Sequence, residues 1–142
     1  YTAALATLRE LGAKKDIAIA EINLGDVRAR EQDVAGALGS YRAALALAME
    51  IGAPATGLAA LRGLAWVRLQ QRHPEVAAEY LGPVMNHPAT NADVRRAAEP
   101  VLVGVRAALG ETACAEGLER GARVDLDKAL SEALASAEQT NA

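Results

Sequence analysis

The 142-residue chain predicts an all-α fold, and three observations carry that prediction. Apolar residues recur at three- and four-residue spacing almost from end to end, the period of an amphipathic helix. Strand signals are absent: no alternating β-branched run occurs, and no Asn-Gly or Asp-Gly pair marks a hairpin. Aromatics make up only 3 % of the chain and Phe is missing, so Ala, Leu and Val must build the core. Small aliphatic side chains suit closely spaced helices better than a sandwich of aromatic-rich strands.

Each element has its own signature. Residues 1–12 are expected to be the end of a preceding repeat helix, closed by Gly12. Residues 17–29 place Ile17, Ala20, Ile22, Leu24 and Val27 near helical spacing, with Glu21, Asp26 and Arg28 between them. Over 33–50 the stripe is cleaner, running Val34, Ala37, Leu38, Tyr41, Ala44, Leu45, Ala48. A second pair of helices follows over 54–71 and 74–86, and Pro54 suits a first helical position. Thr90-Asn91-Ala92-Asp93 caps a third long helix through Leu109, in which Pro100 lacks a backbone donor and predicts a kink. Gly12, Gly52 and Gly110 each follow a Leu or Ile that closes a periodic run, where a left-handed cap favours glycine. Glu111–Arg120 reads as a short helix broken by Gly121. Asp125 is placed to cap a last helix over Leu126–Ala137, with Glu138–Ala142 expected to fray.

The chain repeats itself at a shift of 40 residues. Leu11-Gly12-Ala13 returns as Ile51-Gly52-Ala53, and Leu24, Gly25, Arg28, Ala37, Tyr41 and Ala44 correspond to Leu64, Ala65, Arg68, Ala77, Leu81 and Val84. A helix–turn–helix unit cannot hide its apolar face alone, so neighbouring units must stack. Leu24-Gly25 followed by Ala37, Tyr41 and Ala44 resembles the tetratricopeptide repeat, which has Leu-Gly in its first helix and Ala, an aromatic and Ala in its second. The resemblance implies a superhelix of about three antiparallel helix hairpins plus a short C-terminal helix. Its expected units are repeat 1 at 13–52, repeat 2 at 53–88, a degenerate repeat 3 at 89–121, and a capping helix with frayed tail at 122–142.

Leu109-Gly110-Glu111-Thr112, Gly117-Leu118-Glu119-Arg120-Gly121 and Asp125-Leu126-Asp127-Lys128-Ala129-Leu130 resemble the end of repeat arrays in bacterial signalling ATPases and LuxR-type regulators. The resemblance implies a protein- or peptide-binding scaffold, the C-terminal sensor or docking arm of a signalling or transcriptional regulator. A small-molecule inducer sensor and a purely structural self-association module are the alternatives. In such stacks the first helix of each hairpin lines a concave wall. The repeat pattern carries the groove positions onto Asn23, Asp26 and Arg30 in the first unit, and Arg62, Trp66 and Gln70 in the second. Trp66 either faces that groove or packs on the third long helix. Arg beside Trp is the composition of an interface hot spot.

Composition narrows the partner. The net charge is −3, distributed as −1 over residues 1–50, +2 over 51–110 and −4 over 111–142. No dense cationic face for nucleic acid is expected, nor is membrane binding. The expected partner is a protein or peptide, another domain of the same polypeptide included, with a homodimer as one option. A single cysteine, Cys114, excludes an internal disulfide and a multi-thiolate metal site. No secretory leader and no bilayer-length apolar run are expected, with Ile51–Leu61 as the most apolar stretch, and a cytoplasmic setting is the expectation. The start at Tyr-Thr-Ala suggests a piece excised from a longer protein.

Catalysis, metal and cofactors are not expected. His73 and His87, the only histidines, each precede a proline and read as turn positions. Gly12-Ala13-Lys14-Lys15 lacks the spacing of a phosphate loop, and Ser40 lacks the second glycine of a nucleophile elbow.

Overall fold

A computed structural model describes residues 2–140, with the side chains of 3–137. Seven helices follow one another: α1 (Thr2–Arg30), α2 (Val34–Ile51), α3 (Pro54–Gln70), α4 (Pro74–Asn86), α5 (Ala92–Leu109), α6 (Glu111–Arg123) and α7 (Leu126–Thr140). Among the described residues there is no strand, so the chain is all-α.

Local chemistry explains most helix ends. The Asp33 carboxylate accepts a hydrogen bond from the Gly36 N–H at 2.9 Å and caps α2. At its other end Gly52 adopts φ +65°, where its N–H reaches the Ala48 and Met49 carbonyls, and Pro54 then opens α3. Asn91 Oδ1 accepts from the Val94 N–H at 2.8 Å and starts α5, as its place in the sequence predicts. Gly110, at φ +88°, separates α5 from α6.

The turns after α1 and α3 are built alike, 40 residues apart. Gln32 and Arg72 are the described non-glycine residues with positive φ, +61° and +66°. Asp33 N–H donates to Arg28 O at 2.8 Å, and His73 N–H donates to Arg68 O at 2.9 Å. Gln32 N–H reaches Ala29 O at 3.0 Å, and Arg72 N–H reaches Leu69 O at 3.1 Å.

Helices α1 and α2 form an antiparallel hairpin, pinned by Lys14–Glu50 at 2.8 Å near one end and Arg28–Ser40 at 2.9 Å near the other. Packing sets the spacing in between. A Cβ on Gly25 would lie 2.6 Å from the Tyr41 ring, and one on Gly63 only 2.3 Å from it, so Tyr41 sits wedged between α1 and α3. Helix α4 packs on α3, α5 and α6, and α7 returns across α2 and α3. There Leu130 fills the space beside Gly57, and Arg68 donates to Ser136 at 3.0 Å.

Two expectations are corrected. Gly12 does not close a helix: α1 runs unbroken through it, because Ala13-Lys14-Lys15 continue the helix where Ala53-Pro54 after Gly52 cannot. Residues 1–12 are therefore no separate helix end but, from Thr2, the start of α1, projecting beyond α2 with Leu5, Leu8 and Leu11 exposed. Gly121 does not break α6, which continues to Arg123. It instead lets α6 approach α4 closely, since a Cβ there would lie 1.9 Å from Glu79 O. Pro83, inside α4, lacks the N–H that would have bonded that carbonyl, which faces the Gly121 Cα–H instead. Helix α7 is described through Thr140, and 141 and 142 lie outside the described residues.

Helix α5 remains helical through Pro100. Among the described residues, α2 is the one helix long and apolar enough to be a weak candidate span, with 18 residues of mean hydropathy 1.2. Its stripe Ala37, Leu38, Tyr41, Ala44, Leu45, Ala48 is buried in the core shared with α1 and α3.

Candidate functional site

Helices α1 and α3 lie side by side in the same direction: Ile19 and Ile22 line one cleft with Ala55 and Ala59, and further along both helices Asp26 meets Arg62. Their shared face carries Ile19, Ile22, Asp26 and Arg30 from α1 and Ala59, Arg62, Trp66 and Gln70 from α3, each set at helical spacing. A cleft of about 270 Å³ opens at one end of this face, lined by Lys15, Ile19, Ile22, Ala55, Thr56, Ala59 and Asn91.

Of the six groove residues expected from sequence, Asp26 and Arg62 are brought together directly. Arg62 Nη2 donates to both Asp26 oxygens, at 3.0 and 3.3 Å. The Tyr41 hydroxyl donates to Asp26 Oδ1 at 2.5 Å, and the Arg62 guanidinium stands 5.7 Å from the Tyr41 ring centroid. One carboxylate thus ties α1, α2 and α3 together. Burial, and next the hydrogen bond to Asp26, push the Tyr41 phenol well above its ordinary range. Arg62 is mostly buried, and its Nε has no hydrogen-bond partner among the described residues.

The other four are spread along the face. Arg30 is exposed, and its Nε donates to Asp26 O at 3.4 Å. Gln70 is exposed one turn beyond Trp66, and Asn23 is exposed toward the uncovered side of α1. Trp66 is half-buried, with part of its ring against the core.

The role of Tyr41 as the acid's hydrogen-bond donor went unread in the sequence. Its signal was Asp26 directly following Gly25, the small residue that admits the Tyr41 ring. Further clefts lie elsewhere, two of them larger than the one on the α1–α3 face. One of about 310 Å³ runs between α4, α6 and α7, lined by Tyr80, Pro83, Val124 and Ala129 with Glu79 and Arg120 at its edge. The other, about 470 Å³, lies between the end of α2 and the start of α7.

His73 and His87 sit in turns. His73 precedes α4, 3.8 Å from Glu75 on the surface, and His87 Nδ1 accepts from the Ala89 N–H at 3.0 Å. Cys114 is buried, and the described residues contain no cluster of three or more His, Cys, Asp or Glu able to hold a metal ion.

No protein-family model, curated protein or solved structure matches the chain.

Proposed function

We propose that the chain is a tetratricopeptide-like helical repeat whose α1–α3 face binds an extended segment of a protein or peptide. The observation that carries the proposal is the face itself, with an apolar cleft at one end and Asp26, Arg30, Arg62, Trp66 and Gln70 along the rest. The matching turns at Gln32 and Arg72 support the repeat. Asp26 already accepts from Arg62 and Tyr41, so recognition falls mainly to Arg30, Gln70 and the open part of Trp66. From the tail residues Leu109 to Leu130 alone, we also infer service as the docking arm of a bacterial signalling or transcriptional regulator.

Trp66 is the single tryptophan and a built-in reporter. Peptides selected from a displayed random library should shift its emission and bind at least about tenfold more weakly to Arg30→Ala with Gln70→Ala, exposed positions whose loss spares the core. Selected peptides that bind that variant as they bind the parent refute the groove.

A second reading is favoured by the cleft of about 310 Å³ between α4, α6 and α7, near the lower limit for a small-molecule site. A metabolite bound there raises Tm by ligand linkage, and Tyr80→Ala removes that rise.

A further inference from the structure

The cleft at the end of the α1–α3 face gathers a cation and several hydrogen-bond donors, with no carboxylate among its lining residues. Lys15, Ile19 and Ile22 belong to one stripe of α1, Ala55, Thr56 and Ala59 to the first turns of α3, and Asn91 is the cap of α5. Lys14 is engaged by Glu50, whereas Lys15 has no ion-pair partner among the described residues. Helix α3 opens with Ala53 and Pro54, so no side chain caps it, and its first turn holds no acidic residue. Its backbone bonding begins with Gly57 N–H donating to Ala53 O at 2.9 Å, which leaves the N–H groups of Ala55 and Thr56 at the positive end of the helix dipole without a protein acceptor. Asn91 Oδ1 accepts from the Val94 N–H, so its Nδ2 remains as a donor.

Thr56 sets this helix start apart. It is only 7 % exposed and lines the cleft, yet its hydroxyl has no hydrogen-bond partner among the described residues. A hydroxyl so far out of water ordinarily has one, and an oxygen of a molecule held in the cleft supplies it.

We propose that this cleft binds a short apolar carboxylic acid as its carboxylate. One ammonium and a helix N-terminus worth about half a charge balance a single negative charge better than a phosphate dianion. Ile19, Ile22 and Ala59 form a wall for an aliphatic tail, and a volume of about 270 Å³ keeps that tail to a few carbons. A peptide's last residue would bring an amide N–H in with its carboxylate. The side-chain acceptors in the lining are Asn91 Oδ1, taken by Val94, and the Thr56 hydroxyl, which serves the carboxylate, so that amide would be buried unpaired. This ligand goes beyond the peptide reading, whose contacts at Arg30, Trp66 and Gln70 lie toward the other end of the face.

The test is an NMR titration of the isotope-labelled chain with isocaproate, its neutral isostere isocaproamide, and acetate as the tailless acid. Isocaproate should bind with a Kd of about 1 mM or tighter and move the Ala55 and Thr56 amide resonances most, with the other two at least about tenfold weaker. Thr56→Val keeps the shape and removes the hydroxyl, so it should weaken isocaproate about tenfold while Tm holds or rises. Lys15→Met, at an exposed position, should weaken it about threefold without touching the fold. Arg30→Ala with Gln70→Ala should leave isocaproate binding unchanged, so failure of this site and failure of the peptide face are seen separately. No saturable shift with isocaproate overturns the site. Equal binding of isocaproamide, or unchanged affinity in both Thr56→Val and Lys15→Met, overturns the carboxylate assignment. A peptide ending in leucine that binds more tightly than isocaproate, and loses that affinity when its end is amidated, makes a chain terminus the ligand and overturns the free acid.

Discussion

Replacing Gly121 by Ala should destabilise the protein, although alanine is the better helix former. In an open helix that change is favourable by about 0.8–1.0 kcal/mol. At Gly121, however, the added Cβ would lie 1.9 Å from Glu79 O, 2.7 Å from Glu79 C and 3.0 Å from Glu79 Cα, all of them backbone atoms. No rotamer change relieves that overlap. Reaching ordinary contact at 3.4 Å requires α4 and α6 to part by about 1.5 Å along that line. The separation would also loosen Gly82 from Leu118 O and Gly117 from Ala78, contacts that depend on the same close approach. Overpacking a site with no freedom to shift costs about 3 kcal/mol, so about 2 kcal/mol remains after the helix gain. Thermal unfolding followed by circular dichroism should register a drop in Tm of several degrees, at about 2–4 °C per kcal/mol. Gly39→Ala is the control, since a Cβ there meets nothing within 4 Å and should raise Tm instead. A Gly121→Ala protein as stable as the parent would refute the backbone clash.

Other outcomes follow from the same contacts. Tyr41→Phe should cost about 1.5 kcal/mol in urea unfolding, because a hydrogen bond to a charged carboxylate is lost at a buried site. The folded pKa of Tyr41 is raised, so the folded state holds this proton more tightly than the unfolded chain does. That contribution is intact below the unfolded tyrosine value of about 10 and declines as pH climbs past it, by about 1.4 kcal/mol per pH unit. The parent should lose this increment in alkaline urea titrations, and Tyr41→Phe should not. Asp33→Ala should cost about 1 kcal/mol through the α2 cap, measured by Tm. Leu130→Ala should cost about 2–3 kcal/mol and speed proteolysis within α7, because Leu130 fills the space beside Gly57 and Ala48.

Most helices could be read from local chemistry, and the reasons for the failures are equally specific. Asp33, Pro54, Pro74 and Asn91 act at helix starts within a few residues of themselves, so their pattern is visible in one dimension. Gly12 and Gly121 carry the same local signal as Gly52, and what separates them lies elsewhere: a proline after Gly52, a freed carbonyl across from Gly121. The spacing of Ala78 with Gly82 and of Gly117 with Gly121 was the available hint that two helices touch there. The groove positions placed Asp26 and Arg62 on neighbouring helices, but their mutual pairing left fewer free charges on the face than the residue types suggest. The return of α7 had no signature, because Leu130 against Gly57 and Ser136 against Arg68 join segments more than sixty residues apart.

That return alters how the molecule should come apart. A string of helix hairpins touching only at adjacent joints melts by fraying inward, one module at a time, with broad transitions. Here the last helix is fastened to the second and third, so the C-terminal end cannot peel away without disturbing the middle. Melting should therefore be sharp, with calorimetric and van't Hoff enthalpies in agreement. Cutting the chain ahead of α7 should turn one transition into several.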